Sequence, residues 1–177
     1  MYNVRIIQYT VAFLLTVSIS WAGSSEKLDA GLYISPGIRI GYAYGEGLSL
    51  SGKLSVGVAF GTETFRNNFV NVTFGMKRIF VKDQAKIWHS PFTYQEVQFG
   101  TLQRDFLPVY IGGSVGIYGE IGGVKNTRGL RWSAFSGLLG FASLEFESFD
   151  GSTPLADLGF VGVLPLPIGR DNWQLSF

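Results

Sequence analysis

A strict period of two runs through this chain, and it restricts the fold more than any other feature. Leu48 to Phe60 reads LSLSGKLSVGVAF, two interleaved sequences: Leu48, Leu50, Gly52, Leu54, Val56, Val58 and Phe60 against Ser49, Ser51, Lys53, Ser55, Gly57 and Ala59. Alternation at this period places one set on each face of a β-strand, apolar on one side and small or polar on the other. The pattern recurs from Gly31 to Tyr44, where Leu32, Ile34, Ile38, Ile40, Tyr42 and Tyr44 oppose Gly31, Ser35, Gly37, Arg39, Gly41 and Ala43. It returns from Phe69 to Phe80, in Phe92 to Gln103, and from Leu107 to Ile121. Gly45-Glu46-Gly47 joins the first two runs as a tight hairpin, as glycine-bearing short loops between alternating runs do.

The later part of the chain is more ambiguous. Leu130 to Phe149 reads as one long strand, or as two shorter ones turning at Gly137-Leu138-Leu139-Gly140. Leu155 to Leu164 is a further strand, Pro165 to Gly169 breaks it, and Arg170 to Phe177 is the last. Taking Leu130 to Phe149 as a single strand gives eight. An even count suits a closed antiparallel barrel with both ends on one side.

Such a barrel is either water-soluble or embedded in lipid, and the two differ in which face is turned outward. A solvated sheet face is normally dressed with Lys, Glu, Thr and Asp, since glycine weakens a strand. Here the polar face is mainly Gly, Ser and Ala, residues that suit the narrow interior of eight strands. The opposite face is Leu, Ile, Val and Phe. Only 15% of residues are charged, against roughly 25% in soluble domains, and mean hydropathy is +0.23. The expectation is an all-β, eight-stranded antiparallel transmembrane up-and-down barrel with its apolar face toward lipid. Tyr42, Tyr44, Phe60, Phe80, Trp132 and Trp173 are then candidates for an aromatic membrane girdle.

The N-terminus has the layout of a secretory signal. Arg5 precedes an apolar run from Ile6 to Ile19, which closes on Ser20-Trp21-Ala22, and cleavage is expected after Ala22. The domains are therefore residues 1–22 as signal peptide and 23–177 as barrel. Cleavage removes one of 14 basic residues, Arg5, and leaves the chain neutral against its 13 acidic ones. No basic stripe suggests nucleic-acid binding. With no cysteine and one histidine, thiol chemistry, iron–sulfur clusters and multi-histidine metal sites are excluded, and no cofactor or metal is expected.

The chain ends on Trp173-Gln174-Leu175-Ser176-Phe177, an alternating segment closing on an aromatic. This terminus resembles the C-terminal signature of bacterial outer-membrane barrels. With the export signal and the strand count, the mature chain resembles the small class that includes OmpX and the membrane domain of OmpA. That resemblance implies a place in the outer membrane of a Gram-negative envelope, surrounded by its lipid. It also implies delivery to the barrel-assembly machinery through Trp173, Leu175 and Phe177.

Three functions are carried forward. The first is a structural or envelope-interaction role, with the lumen filled by a charge network of Arg39, Lys53, Lys77, Glu96 and Glu120, together with Glu145 and Glu147. Charges so confined need partners. The second rests on Trp88-His89-Ser90-Pro91. His89 is the only imidazole, and with Ser90 and Glu96 it resembles in outline the outer-membrane lipid A deacylases of the PagL-like kind. In that family His and Ser are separated by one residue and share a strand face; here they are adjacent, so in a strand they would oppose one another. The third is a narrow pore. With both ends periplasmic, the outer loops are expected near Gly45 to Gly47, Val81 to Pro91, Gly122 to Gly129 and Pro165 to Gly169.

Overall fold

A computed structural model describes residues 29–62, 65–81, 91–103, 109–120, 128–138, 140–149 and 154–168. The strands are β1 (Asp29–Ala43), β2 (Gly47–Thr62), β3 (Phe65–Val81), β4 (Phe92–Gln103), β5 (Val109–Glu120), β6 (Arg128–Gly137), β7 (Gly140–Phe149), β8 (Leu155–Val163) and the two-residue β9 (Leu166–Pro167). Each of β2 to β7 pairs antiparallel with the next, and β1 lies between β8 and β2. The sheet is thereby closed on itself. β9 is a continuation of β8, because Gly37 opposite Val163 and Tyr33 opposite Pro167 belong to one unbroken register. The amides of Leu164 and Ile168 donate to the carbonyls of Pro36 (3.0 Å) and Leu32 (2.9 Å) on either side of Pro165. Eight staves make the barrel.

The strand count agrees with the expectation, but its bookkeeping differs at two places. Leu130 to Phe149 is two strands, turning between Gly137 and Gly140, and β6 pairs directly with β7 from Gly129 opposite Phe149 to Gly137 opposite Phe141. Alternation continues across so short a turn, so periodicity alone does not reveal it. The eighth stave is then Leu155 to Ile168, and Pro165 does not end it. Proline is tolerated there because alternate residues turn their amide positions away from β1. Arg170 to Phe177, assigned above as the last strand, lies outside the described residues. The fourth connection on the β1–β2 side is consequently residues 150–154, and not Pro165 to Gly169.

The registers also fix the strand tilt. From Ile34, the pairings lead through Val56, Val72, Val97, Val115, Trp132, Phe146 and Ala156 back to β1 at Tyr44, whose amide donates to the Ala156 carbonyl at 2.8 Å. One circuit climbs from residue 34 to residue 44 of β1. Eight strands with this stagger tilt about 40° from the barrel axis and enclose only enough room for side chains. Every residue on the circuit faces outward, so the belt it traces is apolar throughout. Inward positions carry the Gly, Ser and charged set, and Leu54, Phe74, Val115, Ile117 and Leu158 are among the large apolar residues left exposed outside.

Candidate functional site

The interior is filled in layers. The upper rim carries the β1–β2, β3–β4, β5–β6 and β7–β8 connections, and just inside it lies an apolar cluster of Ala43, Ile79, Phe92, Tyr94, Tyr118 and Leu155. Phe92 and Tyr118 meet edge to face at 5.9 Å. Toward the opposite rim, Phe69 packs on Tyr110 and Phe135 at 5.9 and 6.1 Å, and Phe135 on Phe141 at 5.8 Å. Between these aromatic ends lie a hydroxyl and amide layer and a charge cluster. Ser55 and Thr73 are 2.7 Å apart, Thr73 donates to Asn71 (3.0 Å), and Asn71 donates to the Tyr33 hydroxyl (2.9 Å). Asn71, which matches an N-glycosylation acceptor in sequence, is 5% exposed and faces inward.

The charge cluster is held by strands from both halves of the chain. Arg131 of β6 is its centre: its Nε donates to Glu96 Oε2 of β4 at 2.9 Å, and its terminal nitrogens reach Glu145 and Glu147 of β7. The guanidinium also stacks over the Tyr94 ring, 4.2 Å from its centroid. Lys77 of β3 donates to Glu145 (3.1 Å) and Glu147 (3.0 Å), and lies 2.8 Å from Asp157 Oδ2 of β8. Arg39 of β1 donates to Asp157 (2.9 Å) and Ser143 (2.9 Å), with Glu145 3.0 Å from its Nε. Glu96 further accepts from Gln98 (2.6 Å) and Ser114 (2.9 Å). Arg39, Lys77, Arg131, Glu96, Glu145, Glu147 and Asp157 are each buried. Taking charges out of water costs several kcal/mol per ion, so the cluster gains little over an apolar core; what it penalises is any register that separates a partner.

Glycines make the room this cluster needs. A Cβ on Gly41 would stand 2.5 Å from Arg39 Nη1 and from Asp157 Oδ1, and one on Gly159 would stand 2.6 Å from the Arg39 guanidinium carbon. The guanidinium occupies the volume two side chains would otherwise take. Gly41→Val is therefore expected to destabilise the barrel by about 1–3 kcal/mol through overpacking. Urea unfolding of the refolded protein in detergent checks this. An unchanged midpoint would show that Arg39 has another place to go.

Of the residues singled out in the sequence, Arg39, Lys77 and Glu96 meet in this cluster with Glu145 and Glu147. Lys53 faces inward from β2, yet no ion pair or hydrogen bond to it is made among the described residues. The side chain of Glu120 lies outside the described set, as do His89, Ser90, Trp173, Leu175 and Phe177. Glu96 is 3% exposed and ion-paired with Arg131. Two members were missed. Arg131 alternates with Trp132 and shares the parity of Ser133, and Asp157 is the lone acid of an apolar strand; parity could have found both. Tyr42, Tyr44 and Phe80 are exposed near the upper rim, Phe60 lies near the lower end of β2, and Trp132 stands mid-strand in β6, stacked on Phe146 at 4.1 Å.

The fold and its interior define a small closed antiparallel barrel of eight staves, with a buried charge cluster between aromatic layers among the described residues. No family model matches the chain, and no curated protein matches it. Among solved structures it is similar to the backbone structure of the Yersinia pestis outer membrane protein Ail in a phospholipid bilayer nanodisc. The two are 16% identical, the match covers 73% of this chain and 99% of that one, and the TM-score is 0.39.

Proposed function

We propose that this chain is an outer-membrane β-barrel of a Gram-negative envelope, exported with residues 1–22 as a cleaved signal, and that its role is structural or interactive rather than catalytic or conductive. The carrying observation is the inversion of polarity between the two faces. Among the side chains described, outward strand positions bear two charges, Arg78 and Arg128, both near the upper rim, where headgroups would meet them. Arg78 lies over the Phe80 ring at 5.6 Å. The ion pairs lie inside. A sheet immersed in water would gain nothing from exposing Ile38, Val115, Leu130 and Leu158 at 64, 59, 62 and 65% while burying Arg131 at 2%. β6 and β7, at 10 residues each, match the roughly 9–11 that a tilted spanning strand needs.

The packed interior supports a plug over a pore, and the commitment of Glu96 to Arg131 weakens the deacylase reading. The upper-rim connections at residues 82–91 and 121–127 are the surface through which a partner would be met. Trp173, Leu175 and Phe177 are the proposed address for the barrel-assembly machinery.

The test is made on membranes from an expressing Gram-negative host. The protein is expected in the detergent-extracted outer-membrane fraction, with a mature N-terminus at Gly23 and a gel mobility that shifts on heating. In planar bilayers it is expected to be silent. A water-soluble monomer that needs no detergent ends the membrane reading, and steady unitary currents end the plug.

A further inference from the structure

We propose that the barrel thins the bilayer on one side: at the lower rim the leaflet is drawn up to the β6–β7 turn, while beside β8 and β1 hydrocarbon continues roughly 10 Å further down. The inference rests on the lipid-facing reading of the outer surface. It follows from two opposite demands that the lower rim makes at two heights.

The heights come from the registers. One circuit climbs ten residues of β1 over eight strands, so each step to the next strand is worth about 1.25 residues of rise. Gly140, where β7 begins, lies opposite Gly162, and Gly162 lies opposite Ile38. Allowing for the two steps, the β6–β7 turn stands level with about residue 35 or 36 of β1, a strand that starts at Asp29. Leu166 lies opposite Ile34, and the Ile168 amide reaches the Leu32 carbonyl. By the same count these two stand about three and five residues below the turn, or roughly 7 and 12 Å for strands tilted about 40°. The upper rim has no such step. Arg128, four residues above Trp132 and five strand steps from Ile34, comes out level with about residue 44 of β1.

The turn demands polar surroundings. β6 and β7 pair only as far as Gly137 opposite Phe141. Leu138 lies beyond that ladder and makes no backbone hydrogen bond among the described residues. Irregular backbone of this kind is not tolerated in contact with hydrocarbon, so headgroups and water have to reach it.

The wall beside it demands the opposite. Leu32, Leu166 and Ile168 face outward below the level of the turn and are 53, 43 and 49% exposed, an apolar skirt if left in water. The edge of β8 is fitted to hydrocarbon as well. β7 covers β8 only as far as Gly162, and the amides of Leu164 and Ile168 point to β1. The alternate positions, whose N–H groups would face the open edge, are Pro165 and Pro167. An unpaired N–H is harmless in water and costly in lipid, and this edge presents none at either position.

A flat lower surface meets only one of these demands. Set at the turn, it leaves the skirt in water; set at Ile168, it submerges the turn. A rigid tilt of the barrel would transfer the step to the upper rim, where Tyr44 and Arg128 are level. Local thinning of one leaflet satisfies both demands, and bilayers accommodate such mismatch at modest cost per ångström.

The experiment is nuclear Overhauser spectroscopy of the full mature chain in phosphatidylcholine nanodiscs, reading cross-peaks from water, choline and acyl methylene protons. Leu138 is expected to show water and choline, and Leu32 and Leu166 acyl methylenes without water. Tyr44 and Arg128 are both expected to show choline. Acyl methylenes without water at Leu138 would place the turn in hydrocarbon and overturn the thinning. Water at Leu32 and Leu166 would leave the skirt outside a flat leaflet and overturn it too, and choline at only one of Tyr44 and Arg128 would make the effect a tilt. Val115 and Leu158, in the middle of the outward belt, report separately on the membrane reading. Water there in place of acyl methylenes ends that reading, whereas acyl contact there alongside any of the three adverse results ends only the thinning.

Discussion

Replacing Arg131 with methionine is expected to cost the barrel about 3–5 kcal/mol, because it strands buried carboxylates without a cation. Glu96 would lose its ion-pair partner outright, and Glu145 and Glu147 would share Lys77 and Arg39 with Asp157. Methionine fills much of the arginine stem, so the loss would report charge and not a void. The measurement is the urea midpoint of the refolded protein in detergent, read by gel mobility. The paired variant Arg131→Met with Glu96→Gln restores the balance of charges and should recover more than half of the deficit. Such coupling is the signature of groups in direct contact. If the double variant were as unstable as the sum of its parts, the ion pairing would not be what holds this layer.

The second expectation concerns the outer face. Val56 lies on the mid-barrel circuit and is 43% exposed, and Val56→Arg should destabilise the protein by about 2–4 kcal/mol in a bilayer. The same change at Tyr44, at the upper rim, should cost only about 0–1 kcal/mol, since the penalty falls toward the interface. Reversible unfolding from phospholipid vesicles compares the two. Equal and small effects would mean that water, not hydrocarbon, bathes the belt, and the assignment of inside and outside would fall with it.

Some of this was readable before any coordinates. In β1, β2, β3 and β5 the alternation is long and regular, so the parity of Arg39, Lys77 and Ser114 follows from counting alone. Alternation also leads to a count of eight, although it takes β6 and β7 as one strand where the structure has two, and its last strand, Arg170 to Phe177, lies outside the described residues. Gly137 lies opposite Phe141, so an odd number of residues separates the paired positions and parity carries through the turn; Gly137 to Gly140 leaves no break in the pattern. Pro165 looked like a terminator because a sequence cannot say which side of a strand a missing N–H faces.

Parity alone turns Arg131 and Asp157 inward, but it does not say which acids and bases they meet. Their partners lie on strands 35 and 118 residues away in sequence, and which interior charges share a level depends on the accumulated stagger of the barrel. The sequence by itself determined a strand-built chain with one greasy and one small, polar face, because side-chain direction at a period of two is a local property of the extended backbone. Only the tertiary structure decided which charges meet and at what height in the lumen, because closing the sheet with a ten-residue climb brings distant segments to one level, and no local pattern encodes that level.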